Sequence, residues 1–207
     1  MIGTNTEQIQ LFMETDKPYG ITFGAWTVKW WQWALSIPKD ISPLSDQSGH
    51  NWNIDQPSSD VWFLVGIVGG TRNAFPHRNI KLEFGRSLLI PVLNCEANPL
   101  EYPDLKTDED LVRHVVDDVN TVVKKDVFIN GTRLSPVRVP SDPRIFKVAI
   151  NEDNAFRIMN PGSTDAAADG YWIFLKPLPR GSYTIQFEGS CEFGRLNAGA
   201  FYEIIII

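Results

Sequence analysis

Six of the seven tryptophans in this 207-residue chain lie between Trp26 and Trp62, and four of them fall in Trp26-Thr-Val-Lys-Trp30-Trp31-Gln-Trp33. Indoles at that density must be buried together or laid along a binding surface. Written on a helix, Trp26, Trp30, Trp33 and Ile37 stand at i, i+4, i+7 and i+11 and make one apolar stripe, with Lys29, Gln32 and Ser36 on a polar side. The stripe is expected to face a core. Trp31 lies off it, which makes it the ring of this segment most free to do something other than pack.

The rest of the chain reads mostly as strands. Pro38 to Asp60 is a long loop rich in Pro, Ser, Asp, Asn and Gly that contains Trp52. Val61 to Val68 is a continuous apolar run ending at Gly69-Gly70, the pattern of a strand covered on both faces. Ile80, Leu82 and Phe84 alternate with Lys81 and Glu83, and Ser87 to Leu93 is a further strand in which Pro91 marks an edge or a bulge. A second helix starts at Thr107, whose hydroxyl can cap it, followed by three acids that suit the positive end of the helix dipole. Its valines form a broad apolar face, and Lys124-Lys125 would complement its far end. Strand patterns resume at Val127, with Asn130-Gly131 as a two-residue hairpin signal. Asn160 to Asp169 is small and polar and reads as a slack connection or a lid. The chain closes on the apolar segment Phe201 to Ile207.

Strands separated by Gly, Pro and Asn turns, with helices near 24–37 and 108–125, predict a mainly β protein. The expected fold is an antiparallel β-sandwich decorated by two helices, with a jelly roll as the runner-up topology. No linker composition and no repeat divides the chain, so one domain over 1–207 is expected.

The strings WWQWALSIP (from Trp30), Pro43-Leu-Ser-Asp46, VWFLVG (from Val61), LLIPVLN (from Leu88), DGYWIFLKPL (from Asp169) and GSYTI (from Gly181) resemble a family of uncharacterised, mostly bacterial proteins. The resemblance spans most of the chain. Many of those proteins are exported and carry cysteines near the positions of Trp52 and Phe75. This sequence has neither cysteine, so neither their disulfide nor their export is implied for it. The family has no assigned activity, and the resemblance bears on fold rather than function.

Composition excludes several roles. The balance of 19 basic and 25 acidic residues gives a net charge of −6 with no polybasic run, which removes the usual source of nucleic-acid affinity. The first residues lack a basic, then apolar, leader, and no apolar stretch approaches the ~18 residues of a membrane span, so the expectation is a cytoplasmic protein without membrane insertion. Cys95 and Cys191 are too few for a disulfide framework and read best as two buried thiols. No G-x-S-x-G, Walker, H-E-x-x-H or G-x-G-x-x-G motif occurs.

Chemistry has few places to reside. Asn94, Glu96 and Glu101 follow the Ser87 to Leu93 strand, and His77 precedes the strand before it. Two carboxylates with an imidazole are the minimum for acid/base catalysis, or for holding a divalent metal. Exposed loop acids are the simpler reading of the same residues. His114, between Asp110 and Asp118 on one helix face, reads as part of a solvated charged face. Three classes of function follow. A binding protein would use Trp31, Trp52 or Trp62 as platforms with Asn94 as a polar partner for a small or carbohydrate-like ligand. A metal-assisted or acid/base hydrolase would use Glu96, Glu101 and His77. An assembling protein would pair its terminal strand, residues 201–207, with another copy to form a homo-oligomer.

Overall fold

In the computed structural model, which describes residues 9–68, 75–192 and 196–207, the chain is mainly β, with two α-helices among the described residues. The strands form two mixed sheets. In the first, β1 (Val61–Phe63), β4 (Ser87–Ala97), β9 (Gly162–Leu175) and β7 (Val137–Arg138) lie in that order, and β8 (Ile145–Ile150) pairs further along β9. In the second, β2 (Ile67–Val68), β11 (Asn197–Ile206), β10 (Gly181–Cys191), β5 (Val122–Ile129) and β6 (Thr132–Leu134) follow one another, with β3 (His77–Leu82) also on β11. Most ladders are antiparallel as expected; β1 with β4 and β3 with β11 are parallel.

Three apolar clusters hold the layers. Leu88, Ile90, Val92, Ile173 and Leu175 of the first sheet meet Val127, Ile185, Phe187, Tyr202 and Ile204 of the second, which is the sandwich core. The opposite face of the first sheet is covered by α1 (Phe23–Ser36). Thr22 caps this helix by accepting the Ala25 N–H at 3.1 Å. The Trp26, Trp30 and Trp33 stripe is buried as predicted, but Trp31 is buried too, at 4 % exposure, because Phe156 closes over its side. Helix α2 (Asp108–Asn120) lays Leu111, Val115 and Val119 against Cys95, Ala97 and Ala167, beyond the end of the second sheet.

Four expectations are corrected. The apolar run from Val61 is not one strand: β1 belongs to the first sheet and β2 to the second, and Leu64–Gly66 cross between them, so burial on all sides comes from the crossing. Gly69-Gly70 lie outside the described residues. Helix α2 stops at Asn120 rather than 125. Val122 to Lys125 enter the ladder of β5 with β10, where β-branched valines fit and Lys124 pairs with Glu188 at 2.6 Å. Residues 162–169, read as slack, are the first half of β9. Alanines belong there because Ala166 and Ala168 face the α1 cluster while Ala167 faces α2, leaving room for nothing larger. Finally, 201–207 is no open edge: β11 is paired on both sides, with Ile204 and Ile206 buried while Ile205 and Ile207 face outward. Simple alternation accommodates the isoleucine run without a second copy.

Two local signals are realised closely. Asn130 and Gly131 both adopt positive φ, at 49° and 78°, as a two-residue hairpin turn between β5 and β6 requires. The ladder of β4 with β9 shifts register between Pro91 and Leu93, a bulge at the proline.

Candidate functional site

That bulge and the crossing together create the site. β1 accompanies β4 only as far as Leu89, whose carbonyl takes the Leu64 N–H at 3.0 Å; beyond it the chain leaves for the second sheet. Among the described residues the edge of β4 from Pro91 onward therefore has no neighbouring strand on that side, and a cavity of about 360 Å³ lies along it. Its walls include Trp30 and Trp31 from α1, Leu44 and Phe156 from loops, Gly66 from the crossing, and Asp118 and Thr121 at the end of α2. Alternation along β4 turns Cys95 toward α2 and so sets Asn94 and Glu96 on the α1 side.

Four residues predicted from sequence line this one cavity: Trp31, Asn94, Glu96 and Glu101. The other three lie elsewhere. His77 is on the outer face of β3, 3.3 Å from Glu203 and edge-on to Phe201. Trp62 belongs to the sandwich core, and Trp52, only partly buried, packs on it at 5.1 Å, with Arg86 over Trp62. Sequence reasoning missed Tyr102, which adjoins Glu101, and Asp118 and Phe156, which come from segments distant in the chain. The only signal for Asp118 was its place beside His114, and those two side chains do approach, at 3.6 Å.

The acids have distinct surroundings. Glu96 is 9 % exposed, and its carboxyl oxygens both take the Asn98 side-chain N–H group at 3.2 Å. Burial pushes its pKa up to about 8; the Asn98 bond opposes this and the neighbouring Glu101 charge adds to it. Glu101 is at the exposed rim, where desolvation raises its pKa and a hydrogen bond with the Tyr102 hydroxyl lowers it. That arrangement leaves a protonated buried acid beside an acid that ionises more readily. Neither has a basic partner among the described residues. The Cys95 and Cys191 thiols, both at the cavity wall, are held up in pKa chiefly by burial and are unbridged. Two lining residues also carry a buried donor with no acceptor among the described residues: the Trp31 indole nitrogen and the Asn94 amide nitrogen. Trp30, one residue earlier, does have its acceptor, the Leu64 carbonyl at 3.0 Å.

One other arrangement resembles a site and is not built as such. Ser48 lies between Asp46 and His50, donating to the carboxylate at 2.6 Å and taking its contact with His50 at 2.5 Å. A nucleophile needs the imidazole in the middle, so this is a loop brace. Among the described residues no group of three or more His, Cys, Asp and Glu side chains is placed to hold a metal ion. No helix there is long and apolar enough to cross a membrane.

The fold and the site together define a helix-decorated β-sandwich with an acidic, aromatic-walled cavity at a vacated strand edge. No protein-family model, curated protein or solved structure matches the chain.

Proposed function

We propose that the protein binds a small ligand with both polar and apolar surface in the cavity beside β4. The observation that carries this reading is the pair of donors on Trp31 and Asn94 left without acceptors among the described residues, in a cavity whose wall also holds aromatic rings and carboxyls. A buried donor without an acceptor costs about 1–3 kcal/mol, and a ligand oxygen can recover that cost. Carbohydrate-like molecules, with hydroxyls around an apolar ring, have the required mixture. Titration of intrinsic tryptophan fluorescence with a panel of small sugars, amines and alcohols tests the reading. Binding that is lost in Trp31→Phe and Asn94→Ala supports it; an unresponsive spectrum across the panel removes it.

A second reading is acid/base hydrolysis, favoured by Glu96, whose raised pKa makes it a proton donor at neutral pH beside the more readily ionised Glu101. His77 has no part in this version. A hydrolase screen in which Glu96→Gln equals the wild type for every substrate would eliminate it.

A further inference from the structure

The charge on the cavity wall is one-sided. Glu96, Glu101 and Asp118 line it, and among the described residues no lysine, arginine or histidine does. Two basic side chains on neighbouring elements are engaged elsewhere. Arg138 of β7 is paired with Asp169 of β9 at 2.8 Å and also donates to Asn120, while His114 packs on the Tyr102 ring and approaches Asp118. Glu96 thus sits buried on the inner side of Glu101 with a single neutral hydrogen-bond partner, a placement that leaves a charged carboxylate uncompensated. α1 brings only indole rings to the cavity, and aromatic rings attract cations by their quadrupole.

Resting on the binding reading above, we propose that the ligand class is a protonated amine, its ammonium seated at the Glu96 and Glu101 carboxyls and its apolar part against Trp30, Trp31 and Phe156. An ammonium supplies three donors and the positive charge that this wall lacks, whereas Trp31 and Asn94 serve acceptor oxygens elsewhere on the same molecule. The proton balance follows directly. Free Glu96, with its pKa raised to about 8, holds a proton at pH 7; in the complex it is a carboxylate opposite the ammonium, and that proton passes to solvent. The other titratable groups around the cavity are Glu101 and Tyr102 on the same loop, Asp118 and His114 on α2, Asp169 with Arg138, and the thiols of Cys95 and Cys191.

Isothermal titration calorimetry with two matched pairs, benzylamine against benzyl alcohol and D-glucosamine against D-glucose, tests this in phosphate and in HEPES. An amine is expected to bind at least about tenfold more tightly than its neutral counterpart, the factor that one charge-assisted contact brings. The buffer dependence of the heat should report release of close to one proton per amine at pH 7, and affinity should rise about tenfold from pH 6 to pH 7. Glu96→Gln should abolish the proton release. Neutral compounds that bind as tightly as the amines, or amine binding by the wild type without proton release, overturn the inference and leave the cavity a site for neutral ligands. If none of the four binds or changes the indole fluorescence, the inference and the binding reading both fall.

Discussion

Asn98 grips Glu96 and the loop that follows it at once: its amide nitrogen reaches both Glu96 carboxyl oxygens at 3.2 Å, while its own oxygen takes the Leu100 and Glu101 N–H groups at 3.0 Å. Asn98 is itself fully buried, so it fixes the separation of the two acids from within. Asn98→Leu, which keeps the branched shape and removes every side-chain bond, is expected to cost about 2–4 kcal/mol, because buried groups on both sides lose their partners. Urea denaturation measures this, and a loss under 1 kcal/mol would show that the acids are positioned by something else.

Stability should fall with rising pH on account of Glu96. Its pKa is 4.5 in an unfolded chain and about 8 in the folded protein, so between those values the folded state holds a proton that the unfolded state has lost. The stabilising contribution is complete below pH 4.5 and is lost as pH rises toward 8, at a slope of up to about 1.4 kcal/mol per unit. Urea midpoints of the wild type should therefore decline more steeply than those of Glu96→Gln from pH 5 to 8. Parallel slopes would contradict a buried, protonated Glu96.

The two adjacent indoles of α1 should respond differently to the same change. Trp30→Phe removes a hydrogen bond to Leu64 and leaves that carbonyl unpaired, at a cost of about 1–3 kcal/mol beyond the smaller ring. Trp31→Phe removes a donor that has no acceptor among the described residues, so its cost should be smaller by about 1 kcal/mol or more. Comparison of the two denaturation curves decides this, and equal losses would mean that Trp31 is satisfied in the protein.

Arg78 is a buried cation at 1 % exposure whose guanidinium donates to the carbonyls of Val65, Pro43 and Asp46 and to the Tyr202 hydroxyl. It ties the 43–46 loop and the crossing, and hence Leu44 and Gly66 of the cavity wall, to the second sheet. Arg78→Leu should cost about 3 kcal/mol or more, since several buried acceptors lose their donor together. Thermal unfolding monitors the loss; a melting temperature within a degree or two of the wild type would deny it that role.

What could be read from the sequence, and what could not, divides along physical lines. The Thr107 cap, the Asn130-Gly131 turn and the Pro91 bulge are local, because each depends on backbone preferences of one or two residues, and each is found where expected. The alternation in β3 was readable for the same reason, whereas that of β11 was hidden by its run of isoleucines. Pairing that depends on distant partners was not. Val122 to Lys125 suit either a helix end or a strand, and only β10 decides between them. The alanines of 166–168 look like a slack linker until two helices are placed on opposite faces of them. At the site, the nearness of Glu96 and Glu101 followed from their closeness in the chain, whereas Asp118 and Phe156 join them only through tertiary packing, and His77, close in sequence to β4, is carried to the outside by β3.

The crossing at Leu64–Gly66 has a consequence for how such a protein can change over evolutionary time. Its residues hold no register in either sheet, yet one of them, Gly66, lines the cavity. Lengthening or shortening the connection between Phe63 and Ile67 would resize the chamber while both hydrogen-bond ladders keep their alignment. Such a change has to keep the bonds that Val65 makes with Arg78 and Tyr202, so ligand preference in this architecture can drift through the connecting residues only where those contacts survive.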